Sequence, residues 1–170
     1  IPPSVPINSR SQASPETLRI TDIPKSYLDC SAAHLCPMDY LSHHLLPPAL
    51  QQGHITTITL DPSAGYMNPA FWDEVHLLTK GITAFLTSEE KLRSLFHGRS
   101  TNLWEMAEDI ASGGCEIVVI KRGQNGQFLY DHAGKNHWQI QAYPTRVTDP
   151  TGAGDAFCGG FLAGYRTSYD

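Results

Sequence analysis

From about Ile20 the chain alternates short apolar runs with amphipathic segments. Ala32-Ala33-His34-Leu35 has the length of a short buried strand. Asp39 to Leu46 suggests a turn or two of helix, with Leu41 and Leu45 four apart, broken by Pro47-Pro48; a second turn can restart there because proline suits a first helical position. His54 to Leu60 is rich in β-branched residues and predicts a strand. Asn68-Pro69 then supplies a cap and a first-turn proline for a helix carrying Phe71, Val75 and Leu78, which Gly81 closes. Ile82 to Leu86 is the next strand. Ser88 caps a further helix with Glu89 and Glu90 in its first turn and Leu92, Leu95 and Phe96 as its apolar stripe.

Another helix is predicted near Leu103, Met106, Ala107 and Ile110, stopped by Gly113-Gly114. Glu116 to Ile120 is the clearest strand. Gln127 to Tyr130 and His137 to Ala142 read as two strands of a hairpin, with Asp131 to Asn136 as its loop. From Asp155 onward Phe157, Phe161 and Tyr165 recur every four residues, the spacing of a helix face. Strands alternating with helices imply an α/β fold with a mostly parallel sheet covered on both faces. In such sheets ligands sit at the carboxyl ends of the strands. Residues 1–16 are rich in Pro and Ser without periodicity, so 1–19 read as an extended lead-in and 20–170 as the folded part.

Charge and composition narrow the function. Hydrophobic content of 41% supports an ordinary core and argues against disorder. A net charge of -5, with no run of Lys or Arg longer than two, argues against nucleic acid or an anionic membrane as the main partner. No apolar run reaches 18 residues and the start has no signal-peptide pattern. Cys30, Cys36, Cys115 and Cys158 form no C-x-x-C pair, so reduced thiols in a cytoplasmic protein are expected. The lack of a starting Met reads as a cut or processed end, or as a piece of a longer chain. Cys30, His34, Cys36, His43 and His44 lie close together, but their spacing matches no standard zinc site; His34 and Cys36 read as flanking a buried strand. Trp72, Trp104 and Trp138 are scattered and read as packing residues. There is no P-loop, no dinucleotide fingerprint and no nucleophile elbow.

The segment that carries chemistry is Thr148-Asp149-Pro150-Thr151-Gly152-Ala153-Gly154-Asp155-Ala156-Phe157-Cys158-Gly159-Gly160-Phe161. Small residues at 152 to 154 open the backbone just before a helix, where first-turn N–H groups lack acceptors and favour an anion. Asp155 would repel a phosphate bound there, but it could take a proton from a hydroxyl attacking that phosphate. On spacing alone, a base and a helix-start carboxylate both remain open.

Asp149 to Phe161 resembles the C-terminal signature of the PfkB-type carbohydrate kinases of the ribokinase-like superfamily. The resemblance implies a ribokinase-like fold, Asp155 as catalytic base, and Gly152, Ala153 and Gly154 as the anion hole, with Thr151 beside the nucleotide. Thr59-Leu60-Asp61-Pro62 resembles the family's strand ending in Asp-Pro. Lys121-Arg122-Gly123-Gln124-Asn125-Gly126 resembles its Thr-x-Gly-x-x-Gly turn along the nucleotide, with Gly123 and Gly126 matching and Lys121 in place of Thr. Thr87-Ser88-Glu89-Glu90 falls where the family has Asn-x-x-Glu, so Glu90 would support magnesium through water, with Thr87 in place of Asn. Asp149 matches a position near the family's monovalent-cation loop, a potassium site in some members.

The implied activity is ATP- and Mg2+-dependent transfer of the γ-phosphate to a hydroxyl of a sugar or sugar-like substrate. The implied partners are ATP and that small molecule; a homodimer is one assembly open to the full-length protein. A nucleoside or vitamin-precursor kinase of the same superfamily is the alternative. A non-catalytic nucleotide- or sugar-binding regulator is another, motivated by Lys121 and Thr87. The resemblance runs from about Ile20 to Tyr169. Family members add an N-terminal part with a Gly-Gly motif, much of the sugar pocket and a β-sheet lid, and a C-terminal helical piece beside adenine. The 170 residues therefore read as the central and catalytic section of a kinase.

Overall fold

Six strands pair side by side in chain order: β1 (Ala32–Leu35), β2 (Thr57–Leu60), β3 (Ala84–Ser88), β4 (Ile117–Lys121), β5 (Gln127–Asp131) and β6 (Asn136–Ile140). The computed structural model describes residues 8–167. β1 to β4 run parallel, β5 returns antiparallel to β4, and β6 pairs antiparallel with β5 as the predicted hairpin. Five helices accompany them among the described residues: α1 (Tyr40–Gln51), α2 (Trp72–Thr79), α3 (Glu89–Leu95), α4 (Leu103–Ser112) and α5 (Ala153–Thr167).

Side chains on a strand alternate between faces, and this alternation divides the core in two. Phe85, Val118 and Ile120 join the large cluster beneath α1 to α4, with Leu46, Leu50, Val75, Leu92 and Ile110. Ala84, Leu86 and Val119 point the other way and meet Cys158 of α5, with Phe157 and Phe161 packed beside them. The α/β arrangement with helices on both faces is therefore present, and α5 is the helix that covers the second face. Parallel strands buried on both sides need apolar residues at successive positions, as Ile117-Val118-Val119-Ile120 provides.

Local capping agrees with the sequence at several ends. Asp39 accepts from the Ser42 N–H at the start of α1, Ser88 from the Lys91 N–H at α3, and Asn102 from the Trp104 N–H at α4. Asn68 caps a single 3-10 turn, Pro69–Phe71, which leads into α2. The main departure is α1, which continues through Pro47 and Pro48. Each proline removes a helix hydrogen bond. Here the face bearing Leu46, Pro47 and Leu50 is buried against the core, and that burial offsets the loss. Two packing expectations also fail: Cys36 is exposed beyond the end of β1, and Trp138 is 45% exposed on β6. Among the described residues no helix is long and apolar enough to cross a membrane.

Candidate active site

The carboxyl ends of β1 to β4 and the start of α5 lie at one edge of the sheet. The α5 start is built from a turn. Asp149 Oδ1 accepts from the Thr151 N–H at 2.8 Å, the Ala153 N–H donates to the Pro150 carbonyl at 3.1 Å, and the Ala156 N–H donates to the Gly152 carbonyl at 2.9 Å. The Thr151 bond holds the exposed Asp149 carboxyl below its ordinary range. Gly152 sits at φ +75, a left-handed conformation that a side chain would strain.

These bonds leave the N–H groups of Gly152, Gly154 and Asp155 without an acceptor among the described residues. Such donors at a helix start suit an anion. Residues 151–156 are all exposed, so the donors are open to solvent. Of the expected Gly152, Ala153 and Gly154 trio, Ala153 supplies no free donor, because its N–H closes the turn. The Asp155 carboxylate is exposed and accepts no hydrogen bond from the first-turn amides among the described residues.

Beneath this turn lies a charged cluster. Asp61, at the end of β2, is 3% exposed. Its two oxygens receive two ammonium groups, Lys91 Nζ at 2.8 Å and Lys121 Nζ at 2.5 Å. Lys121 Nζ also lies 3.5 Å from Cys158 Sγ on α5, and 3.8 Å from where a Cβ on Gly154 would stand. Lys121 thus reaches from the end of β4 to the first turn of α5. Burial pushes the Cys158 thiol up, a shift that Lys121 opposes.

On β1, His34 Nδ1 is 2.8 Å from Thr59 Oγ1, and its buried Nε2 has no hydrogen-bond partner among the described residues. Burial lowers the His34 pKa; the charges of Asp61 and Asp155 oppose that and Lys121 adds to it. Burial, then the charges of Asp155 and Asp61, push the Cys36 thiol up. His34, Cys36, Asp61, Lys121 and Asp155 therefore share one electrostatic neighbourhood.

The Gly123 to Gly126 turn forms a 3-10 turn between β4 and β5, closed by the Arg122 N–H donating to the Gly126 carbonyl at 2.8 Å. Arg122 lies over the Phe128 ring at 4.3 Å, and Phe128 stacks on Trp104 at 4.1 Å. Glu89 pairs with Arg122 and Arg93, and the Arg122 hydrogen bond chiefly holds its carboxyl below the ordinary range. Its neighbour Glu90 is exposed in the first turn of α3 and forms no ion pair among the described residues. Thr87 is fully buried, with its hydroxyl donating to the Ser88 carbonyl at 3.3 Å.

Among the described residues no three His, Cys, Asp or Glu side chains converge to hold a metal ion. An exposed, unpaired Glu90 suits a magnesium ion held mainly by nucleotide phosphates and water, which is the usual way that ion binds. Sequence reading names Asp61 as a strand end but misses its pairing with Lys91 and Lys121, and it misses Cys158. Basic residues at the ends of neighbouring parallel strands and helices, facing an Asp-Pro strand end, are the only signal available.

The chain is similar to several known kinases. The chain is 28% identical over 149 residues to a cytidine kinase of Thermococcus kodakarensis, covering 84% of this chain and 50% of the relative. It is 33% identical over 114 residues to an uncharacterized sugar kinase of Archaeoglobus fulgidus, covering 67% and 43%. A nucleoside kinase of Burkholderia thailandensis, solved with inosine, superposes with a TM-score of 0.62 at 26% identity, covering 81% of this chain and 42% of that one. The chain thus spans about half the length of the curated relatives it matches. Residues 47–170, which include β2 to β6 and the whole of the α5 turn, match the pfkB family of carbohydrate kinases, and the chain belongs to that family.

Proposed function

We propose that the full-length protein transfers the γ-phosphoryl group of ATP to a hydroxyl of a sugar or sugar-like molecule. One observation carries the reading: an exposed carboxylate, Asp155, stands in the same helix turn as three N–H groups with no acceptor among the described residues. Asp155 takes the proton of the acceptor hydroxyl. The acceptor oxygen then bonds to the γ-phosphorus, the bond from phosphorus to the bridging oxygen breaks, and that electron pair leaves with ADP. The N–H groups of Gly152, Gly154 and Asp155 face the charge spread over the transferring group. Gly123 and Gly126 line the nucleotide, with Lys121 and Thr151 at its phosphate end.

Glu90 would hold magnesium through water, and the ion neutralises phosphate charge when bound. A potassium ion beside Asp149 belongs to the same reading, since the Thr151 hydrogen bond favours the charged form of that exposed carboxylate. A nucleoside acceptor is the second reading. It is favoured by the similarity to a cytidine kinase and to a nucleoside kinase solved with inosine.

The test is Asp155→Asn in the full-length protein, assayed for ADP release over a panel of sugars and nucleosides. Loss of a general base should lower turnover by ~10²–10⁴-fold while ATP binding persists. Turnover at the wild-type rate would refute the assignment. A wild-type protein that binds ATP but releases no ADP with any acceptor would favour the regulatory alternative.

A further inference from the structure

Lys121 stands where the family's turn carries a threonine, and Thr87 stands where the family carries an asparagine. The structure links the two replacements. Thr87 is buried and its hydroxyl proton goes to the Ser88 carbonyl, so that proton is not offered to a phosphate. Lys121 brings a full positive charge to the same edge. Its ammonium has one strong acceptor, Asp61 at 2.5 Å, and one weak one, Cys158 Sγ at 3.5 Å. An ammonium has three donors, so one remains. The side chain is 15% exposed, and a Cβ on Gly154 would lie 3.8 Å from its nitrogen.

Asp61 does more than neutralise. A free ammonium beside the turn would be drawn to Asp155, the exposed carboxylate of that turn. Asp61 holds Lys121 through one oxygen and Lys91 through the other. The three charges sum to +1, set beside the loose N–H groups of the α5 turn. That excess suits a group more negative than a single carboxylate.

Resting on the kinase reading above, we infer that Lys121 contacts the terminal phosphoryl group of ATP, and that Asp61 is the positioning residue that aims it there and keeps it off Asp155. The lysine brings a positive charge that a threonine at this position would lack. A lysine so placed distinguishes nucleotides by their last phosphate, and this needs no knowledge of the acceptor.

The test measures ATP, ADP and AMP affinity by calorimetry on the full-length wild type and on Lys121→Met, Lys121→Thr, Asp61→Asn and the double variant Asp61→Asn/Lys121→Met. Loss of a charge-assisted contact to the terminal phosphate should weaken ATP by ~10–100-fold. ADP should weaken less, and AMP should stay within about twofold. Asp61→Asn should shift affinities in the same order by a smaller factor. The single lysine variants leave Asp61 short of one ammonium and are expected to melt earlier. The double variant also takes the carboxylate from Lys91, so it should melt earlier than the single lysine variants and should not recover ATP affinity. Equal loss for all three nucleotides, or no loss, would overturn the inference while leaving the kinase reading in place. A wild type that binds no ATP would take both down.

Discussion

Asp61 is a carboxylate at 3% exposure, and an isolated charge at such a depth would be strongly destabilising. Two ammonium groups within 2.8 Å offset that cost and fix its orientation. His43 solves the same problem by staying neutral. Its ring is fully buried, 2.5 Å from Tyr66 Oη and 2.8 Å from the Cys36 carbonyl. The carbonyl can only accept, so Nε2 carries the proton and Nδ1 accepts from the Tyr66 hydroxyl. Burial lowers the His43 pKa from 6.5 to about 4. Between those values the unfolded chain takes up a proton that the folded one refuses, so stability falls as pH drops from 6.5 toward 4. The contribution is roughly 3 kcal/mol when fully lost. Urea unfolding at pH 7.5 and pH 4.5 should show a larger acid loss for wild type than for His43→Gln. Equal losses would contradict this account of the histidine.

At the scale of elements, the turn between β4 and β5 is tied to the sheet edge by one residue. Gly126 has φ +77 and ψ -140, a region that side chains rarely enter, and a Cβ there would collide with the Ile140 carbonyl at the end of β6. Gly126→Ala should cost about 2–4 kcal/mol in strain and overpacking. Urea unfolding would measure this, and an unchanged midpoint would count against the turn's role in pinning the hairpin. This glycine was legible in the sequence as part of a spaced motif, as was the α5 turn, because both are contiguous runs. The helix through Pro47 and Pro48 was not legible, since its stability comes from burial of Leu46, Pro47 and Leu50 against distant elements. The charged cluster was hidden for the same reason: Asp61 meets Lys121 across 60 positions and Cys158 across 97, and only the parallel register brings them together.

For the molecule as a whole, the chemistry gathers at one edge of a sheet whose interior is apolar on both faces. Four parallel strand ends deliver Cys36, Asp61, Ser88 to Glu90, and Lys121 to Gly126, while α5 crosses the second face and presents its first turn at the same edge. The net charge of -5 repels nucleotides at long range, so attraction must come from local positive charge and oriented N–H groups. Lys91, Lys121 and the α5 turn provide it. The account as a whole depends on that turn receiving the migrating phosphoryl group with Asp155 alongside. A crystal structure of the full-length protein with ADP and aluminium fluoride, a mimic of the group in transfer, tests this most directly. The account predicts fluoride within hydrogen-bonding distance of the Gly152 and Gly154 N–H groups and Asp155 on its acceptor side. A fluoride bound elsewhere, with the turn empty and Asp155 facing solvent alone, would contradict it.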